Sequence, residues 1–121
     1  MTDQATSPLP VVVLISGSGS NLQAIIDAAQ RQEIDIEIKA VISNRPAVAG
    51  LERAQKAGIE THVVDHTQFA DRRSFDTALA QVIDRHQPGL VILAGFMRIL
   101  TQEFVEHYLG RMLNIHPSLL P

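Results

Sequence analysis

Five consecutive apolar residues, Val11-Val12-Val13-Leu14-Ile15, run without a break into Ser16-Gly17-Ser18-Gly19-Ser20-Asn21, and no other stretch limits the possible folds as sharply. A strand with one wet face alternates apolar and polar side chains. An unbroken, mostly β-branched run is instead what a strand covered on both faces of a parallel sheet requires. Parallel neighbours need a crossover between them, and the next segment has the period for one. After the glycine turn, Leu22, Ile25, Ile26 and Ala29 recur at helical spacing, and Ser20 with Gln23 makes a capping-box pattern. Strand, glycine turn and helix are therefore expected in that order, with the strand in the middle of its sheet.

The rest of the chain repeats the alternation. The pattern predicts strands over Ile36 to Ser43, Thr61 to Val64, Leu90 to Ala94 and Arg111 to Ile115. Helices are expected over Ala47 to Ala57, closed by Gly58, and over Arg72 to His86, where Phe75, Leu79, Val82 and Ile83 share a face ahead of Pro88-Gly89. Thr101 can cap a short helix carrying Phe104, Val105, Tyr108 and Leu109. The fold class is α/β, a Rossmann-like parallel sheet of about five strands with four crossover helices on its two faces. Residues 1–9 read as a disordered N-terminal extension and residues 10–121 as part of one domain.

Composition removes several function classes. Ten basic against thirteen acidic side chains leave a net charge of -3, so no surface for nucleic acid or anionic lipid is expected. The absence of cysteine excludes disulfides, thiolate nucleophiles and zinc–cysteine sites, and is compatible with a reducing, cytoplasmic setting. No apolar run approaches the ~18 residues of a membrane span, and Met1 to Pro10 lacks a basic region followed by an apolar one. A soluble, untargeted chain is the expectation, with no membrane partner.

In an open parallel sheet ligands bind at the carboxyl ends of the strands, where the strand order switches direction. Polar and glycine residues gather in the loops there. Gly17 to Ser20 lets the backbone approach a ligand and exposes the first amides of a helix, which suits a phosphate. A turn whose Ser20 and Gln23 only cap their own helix fits the same residues, and both can hold together. It is not a dinucleotide fingerprint, because Leu22 occupies the third glycine position and Asn44-Arg45 stands where a ribose-binding acid belongs. Gly19→Val is expected to block the ligand while leaving the strands intact.

Asn114 and His116 fall two apart in an extended segment, so both can address one atom, and an amide with an imidazole would suit the oxyanion of acyl transfer. The spacing equally allows a loop histidine without a duty. His62, His66, His86 and His107 show no ligand spacing such as His-x-x-x-His, and no metal site is expected. Arg98, among apolar Phe96, Met97, Ile99 and Leu100, is either a solvated cation or part of a loop that a flat heterocycle would cover.

Three segments carry a family resemblance: Val13 to Ile25 (VLISGSGSNLQAI), Ala94 to Leu100 (AGFMRIL) and Asn114 to Pro121 (NIHPSLLP). Together they resemble the phosphoribosylglycinamide formyltransferase (glycinamide ribonucleotide transformylase) family of purine biosynthesis, over Pro10 to the last residue. The last motif is shared, in variants, with methionyl-tRNA formyltransferase and formyltetrahydrofolate deformylase, from which the glycine-serine-asparagine loop separates this chain. The resemblance implies the formyltransferase fold, with Gly19, Ser20 and Asn21 on the phosphate and ribose of glycinamide ribonucleotide. It implies Met97, Arg98, Ile99, Leu100 and Asn114 in the folate pocket, Arg72 at the folate glutamate tail, and Asn114 and His116 as catalytic residues. The implied reaction moves a formyl group from 10-formyltetrahydrofolate, the co-substrate, to the glycinamide amine, in a monomer or homodimer, with no metal and no covalent enzyme intermediate. The family's chain continues past the Ser-Leu-Leu-Pro loop and there supplies an aspartate that pairs with the histidine. This chain by itself is therefore expected to bind weakly and transfer formyl groups negligibly, and the alternative reading is a non-catalytic nucleotide-binding fragment of such an enzyme, or a related folate-dependent formyltransferase or deformylase.

Overall fold

The computed structural model describes residues 7–115. Five parallel strands, β1 (Leu9–Ile15), β2 (Ile36–Ser43), β3 (Thr61–Val63), β4 (Leu90–Ala94) and β5 (Met112–Ile115), form one sheet in the order β3-β2-β1-β4-β5. The unbroken apolar run is the central strand, and Val11 to Ile15 are fully buried. Its two sides face different helices. Val11, Val13 and Ile15 pack with Leu22, Ile25 and Ile26 of α1 (Ser20–Gln30) and with Leu51 and Ala54 of α2 (Ala49–Lys56). Val12 and Leu14 pack with Phe75, Leu79 and Ile83 of α3 (Arg72–Arg85), and with Phe104 and Tyr108 at α4 (Gln102–His107). A short 3-10 turn, His66–Gln68, precedes α3.

The strand and helix assignments of the sequence are met closely, and the differences have local causes. The capping box at α1 is not formed: Gly19 is the N-cap with φ +78, Ser20 is already helical, and no side chain caps the helix. Gln23 instead donates to Asp27 (2.9 Å) and accepts from Arg53 (3.4 Å). Helix α2 starts at Ala49 rather than Ala47, because Ala47 has φ +57 and Val48 is extended. Gly58, with φ +75, ends that helix in the left-handed conformation its position suggested. Thr101 caps α4 through Phe104 N (3.2 Å), yet the helix stops at His107, so Tyr108 is buried while Leu109 is 78% exposed. Burial, and then its hydrogen bond to Asp84, pushes the Tyr108 phenol pKa well up.

The pairing register slips between Val11 and Val12, which face Ile38 and Ala40 and leave Lys39 as the extra residue of a β-bulge. Before the bulge β2 is half-exposed; after it Ala40 to Ser43 are buried. The chain leaves β1 toward β2 and β3, then returns to place β4 and β5 on the other side. The carboxyl ends of β1 and β4 thus border the switch in strand order, where a crevice opens.

Candidate active site

The loop from Ser16 to Asn21 lies at that switch. Gly19 adopts φ +78 with its Cα against α2: a Cβ there would sit 2.6 Å from Gly50 Cα, a backbone clash that no side-chain movement relieves. Helix α2 braces the loop from behind, for Gly50 N donates to the Gly17 carbonyl (3.0 Å) and Arg53 Nε to the Ser18 carbonyl (2.7 Å). Gly19→Val therefore disturbs the packing of α1 on α2 as well as any ligand. The first intrahelical bond runs from Gln23 N to Gly19 O (2.8 Å). By position, the amides of Ser20, Asn21 and Leu22 are those a helix start leaves without an intrahelical acceptor. Ser20 and Asn21 border a cleft of about 230 Å³ lined by Ser16 to Asn21, Arg45, Ala94, Gly95 and Met97. Helix-start amides with one guanidinium are groups that can hold an anion.

Arg45 falls in one of the strand-end loops where the sequence places the site, but was given no ligand contact there and served as evidence against a dinucleotide. Its position two residues past a buried strand end was the available signal. Its backbone is held by Ser43, whose Oγ accepts from Arg45 N (3.0 Å) and donates to Arg45 O (2.6 Å).

Three strand ends are joined under the cleft. Met97 N donates to Ser16 Oγ (2.7 Å), and Ser16 Oγ donates to Asn44 Oδ1 (2.6 Å), with Ser16 and Asn44 both buried. His66 Nδ1 donates to the Asn44 carbonyl (2.9 Å). These bonds set the path of the loop after β4, a role for Ser16 and Asn44 that sequence reasoning missed.

On the far side of that loop lies a second cleft of about 290 Å³. Leu93, Phe96, Leu100, Val105 and Met112 wall it, and Arg98 and Asn114 supply its polar groups. Asn114 pairs with Leu93 across β4 and β5, and so shares the face of the sheet that Leu93 presents to this cleft. Arg98 lies over the Phe75 ring, 5.1 Å from its centroid, and its Nε is buried without a protein acceptor among the described residues. An apolar slot with an unused donor matches a flat, polar-edged heterocycle.

The expected site residues are thus distributed over two adjoining clefts. Gly19, Ser20, Asn21 and Met97 line the first; Arg98, Leu100 and Asn114 line the second. Met97 and Ile99 are 78% and 71% exposed, and Ile99 lines neither cleft. Arg72 is exposed at the start of α3 and also lines neither. His116 and Pro117 lie outside the described residues. Of the other histidines, His107 pairs with Asp84 (2.8 Å), while His62 and His86 converge on Glu60, a grouping their spacing did not announce. Among the described residues no helix is long and apolar enough to cross a membrane.

Comparison with known proteins identifies the family and the fold. The sequence model of the formyl transferase family matches residues 9–121. Phosphoribosylglycinamide formyltransferase of Escherichia coli is 56% identical over 111 residues, which cover 92% of this chain and 52% of that protein. The human trifunctional purine biosynthetic protein adenosine-3 is 52% identical over 111 residues, covering 92% of this chain and 11% of its own length. The phosphoribosylglycinamide formyltransferase structure from Coxiella burnetii superposes with a TM-score of 0.87 at 57% identity, covering 94% of this chain and 54% of that one. The chain spans about half the length of the bacterial relatives it matches. With a family match over nearly all of the chain and this fold shared at such identity, the chain belongs to the formyl transferase family.

Proposed function

We propose that this chain carries the ribonucleotide cradle and the folate pocket of a phosphoribosylglycinamide formyltransferase. In this reading the formyl group passes from 10-formyltetrahydrofolate to the amine of glycinamide ribonucleotide, in a cytoplasmic enzyme of purine biosynthesis. The observation that carries it is the adjacency of two unlike clefts on either side of one loop, Phe96 to Arg98. One offers helix amides and Arg45 to a phosphate; the other offers an apolar slot to a pterin, with Asn114 at its polar end. A ribonucleotide anchored in the first can place its amine at a formyl group anchored in the second, and holding two reactants in contact removes much of the entropic barrier.

The amine attacks the formyl carbon and the carbonyl oxygen becomes an oxyanion. The Asn114 amide donates to it, and His116, two residues on, is assigned the second contact. The carbon–nitrogen bond to the folate then breaks, the oxyanion reverts to a carbonyl, and the proton lost by the amine is delivered to the departing nitrogen. Arg98 Nε, buried without a protein partner, is assigned to the heterocycle. Gly19, Ser20 and Asn21 hold phosphate and ribose, and Arg72 is assigned to the glutamate tail.

The test is calorimetry with glycinamide ribonucleotide and with a folate, alongside a formyl-transfer assay. Both should be run on this chain and on one carried on to the length of the bacterial relative. Arg45→Ala is expected to weaken ribonucleotide binding and leave folate binding alone. In the longer chain, Asn114→Ala and His116→Ala are each expected to lower kcat by about 10²-fold with little change in KM, as loss of one oxyanion donor does. Unchanged turnover in both variants would overturn the assignment of the reacting centre. Ribonucleotide affinity indifferent to Arg45 would overturn the cradle.

A further inference from the structure

At the edge of the sheet opposite the two clefts, Glu60, His62 and His86 meet. Glu60 immediately precedes β3, His62 lies in that edge strand, and His86 caps the carboxyl end of α3. Glu60 Oε2 lies 2.5 Å from His62 Nε2 and 3.0 Å from His86 Nε2. The two imidazole rings stand edge to face, 5.3 Å between centroids.

The protonation of His86 follows from its other nitrogen. Nδ1 is 3.0 Å from the Val82 carbonyl oxygen, which can only accept, so Nδ1 carries a proton. In the neutral ring, Nε2 then presents a lone pair to a carboxylate oxygen, which is also an acceptor. Two acceptors in contact need a cation between them. His62 in its Nε2–H form and a second proton on His86 meet both contacts on Glu60 Oε2, and a metal ion held by the carboxylate and both imidazole lone pairs is the other cation that meets them. Hydrogen bonding to His86, and then to His62, lowers the Glu60 pKa, so the carboxylate is ionised for such a role.

We propose that Glu60, His62 and His86 form a binding site for a divalent transition-metal ion, with Zn²⁺ the best match, that ties edge strand β3 to the end of α3. Two imidazoles and one carboxylate form a donor set this ion accepts at about 2.0–2.2 Å, with a fourth position for water. The ligand atoms all lie within 4.8 Å of one another. The His86 side chain is 13% exposed and held by Val82, the pre-orientation by a backbone carbonyl that metal-binding histidines commonly have. Glu60, 57% exposed, is free to adjust onto the ion. A three-residue edge strand is a weak element, and an ion that binds only the folded chain stabilises it by mass action.

The experiment is titration of the metal-free full chain with Zn²⁺, and with Co²⁺ as a spectroscopic probe, with thermal unfolding recorded in parallel. One ion per chain, visible Co²⁺ bands of low-coordinate type and a Tm that rises with Zn²⁺ are expected. His86→Gln and Glu60→Gln should each weaken binding by more than about tenfold, the loss seen when even an outer-shell partner is removed. Circular dichroism establishes that both variants are folded, and His107→Gln, in the separate pair with Asp84, should bind as the parent does. No stoichiometric binding, or binding unchanged in the His62→Gln/His86→Gln double variant, would overturn the proposal. So would NMR spectra in which Zn²⁺ shifts none of the His86 resonances.

Discussion

At the scale of single residues, the two glycines of the cradle do different work. Gly19 has φ +78 and no room for a Cβ beside Gly50, whereas a Cβ on Gly17 would meet nothing within 4 Å. Gly19→Ala is therefore expected to cost about 1–3 kcal/mol of stability, the range for a non-glycine residue held in a strained backbone region. Gly17→Ala should stay within about 0.5 kcal/mol. Urea unfolding of the two variants checks this, and equal midpoints would refute it. Because Gly19 serves packing, lost ligand affinity in a Gly19 variant does not isolate the ligand contact; Arg45, exposed at the cleft, does. Asn114 is likewise exposed, so its replacement tests the proposed catalytic role apart from folding.

At the scale of elements, the helix starts show how side chains and backbone compete for the same amides. Helix α1 begins on a glycine without a side-chain cap, and its first residues, Ser20 and Asn21, line the cleft. Helix α3 begins on Asp71, whose carboxylate accepts from Ser74 N at 2.7 Å, so that start is closed on itself. The Ser74 backbone N–H, and then its side chain, holds the Asp71 carboxyl below its ordinary pKa. A carboxyl whose folded pKa lies below its unfolded value stabilises the fold fully above the ordinary carboxylate range. That contribution is lost as pH falls through the range toward the lowered value, because the unfolded chain takes up its proton first. Asp71→Asn keeps a capping oxygen with nothing to titrate. Its unfolding midpoint should therefore fall less steeply than the parent's between neutral and acid pH. Identical slopes would show that the cap carries no part of the acid sensitivity.

At the scale of the whole molecule, the Met97–Ser16–Asn44 chain of hydrogen bonds joins the ends of β4, β1 and β2 beside the first cleft. Ser16→Ala leaves the part-buried Met97 amide and the buried Asn44 side-chain oxygen without this partner, and is expected to cost about 1–3 kcal/mol in urea unfolding. Because Met97 borders the cradle and Arg98 the apolar slot, that variant should also weaken ribonucleotide and folate binding together, unlike Arg45→Ala. Weakening of one ligand alone would show that the loop does not couple the two clefts. Local pattern determined much of this protein. The apolar run at Val11 to Ile15, the helical period around Phe75, Leu79 and Ile83, and the left-handed stop at Gly58 are short-range signals, because strand burial and helix periodicity repeat within a few residues. The glycine loop, the loop after β4 and Asn114 were legible as site candidates for the same reason: each falls where a predicted strand ends. Tertiary structure alone decided the rest. That Gly19 leaves its Cβ space to Gly50, that Ser16 meets Asn44 across 28 positions, and that Glu60, His62 and His86 meet at the far edge depend on which strands become neighbours. Strand order follows from the packing of two helical layers on one twisted sheet, a sum over contacts distant in the chain that no local period records.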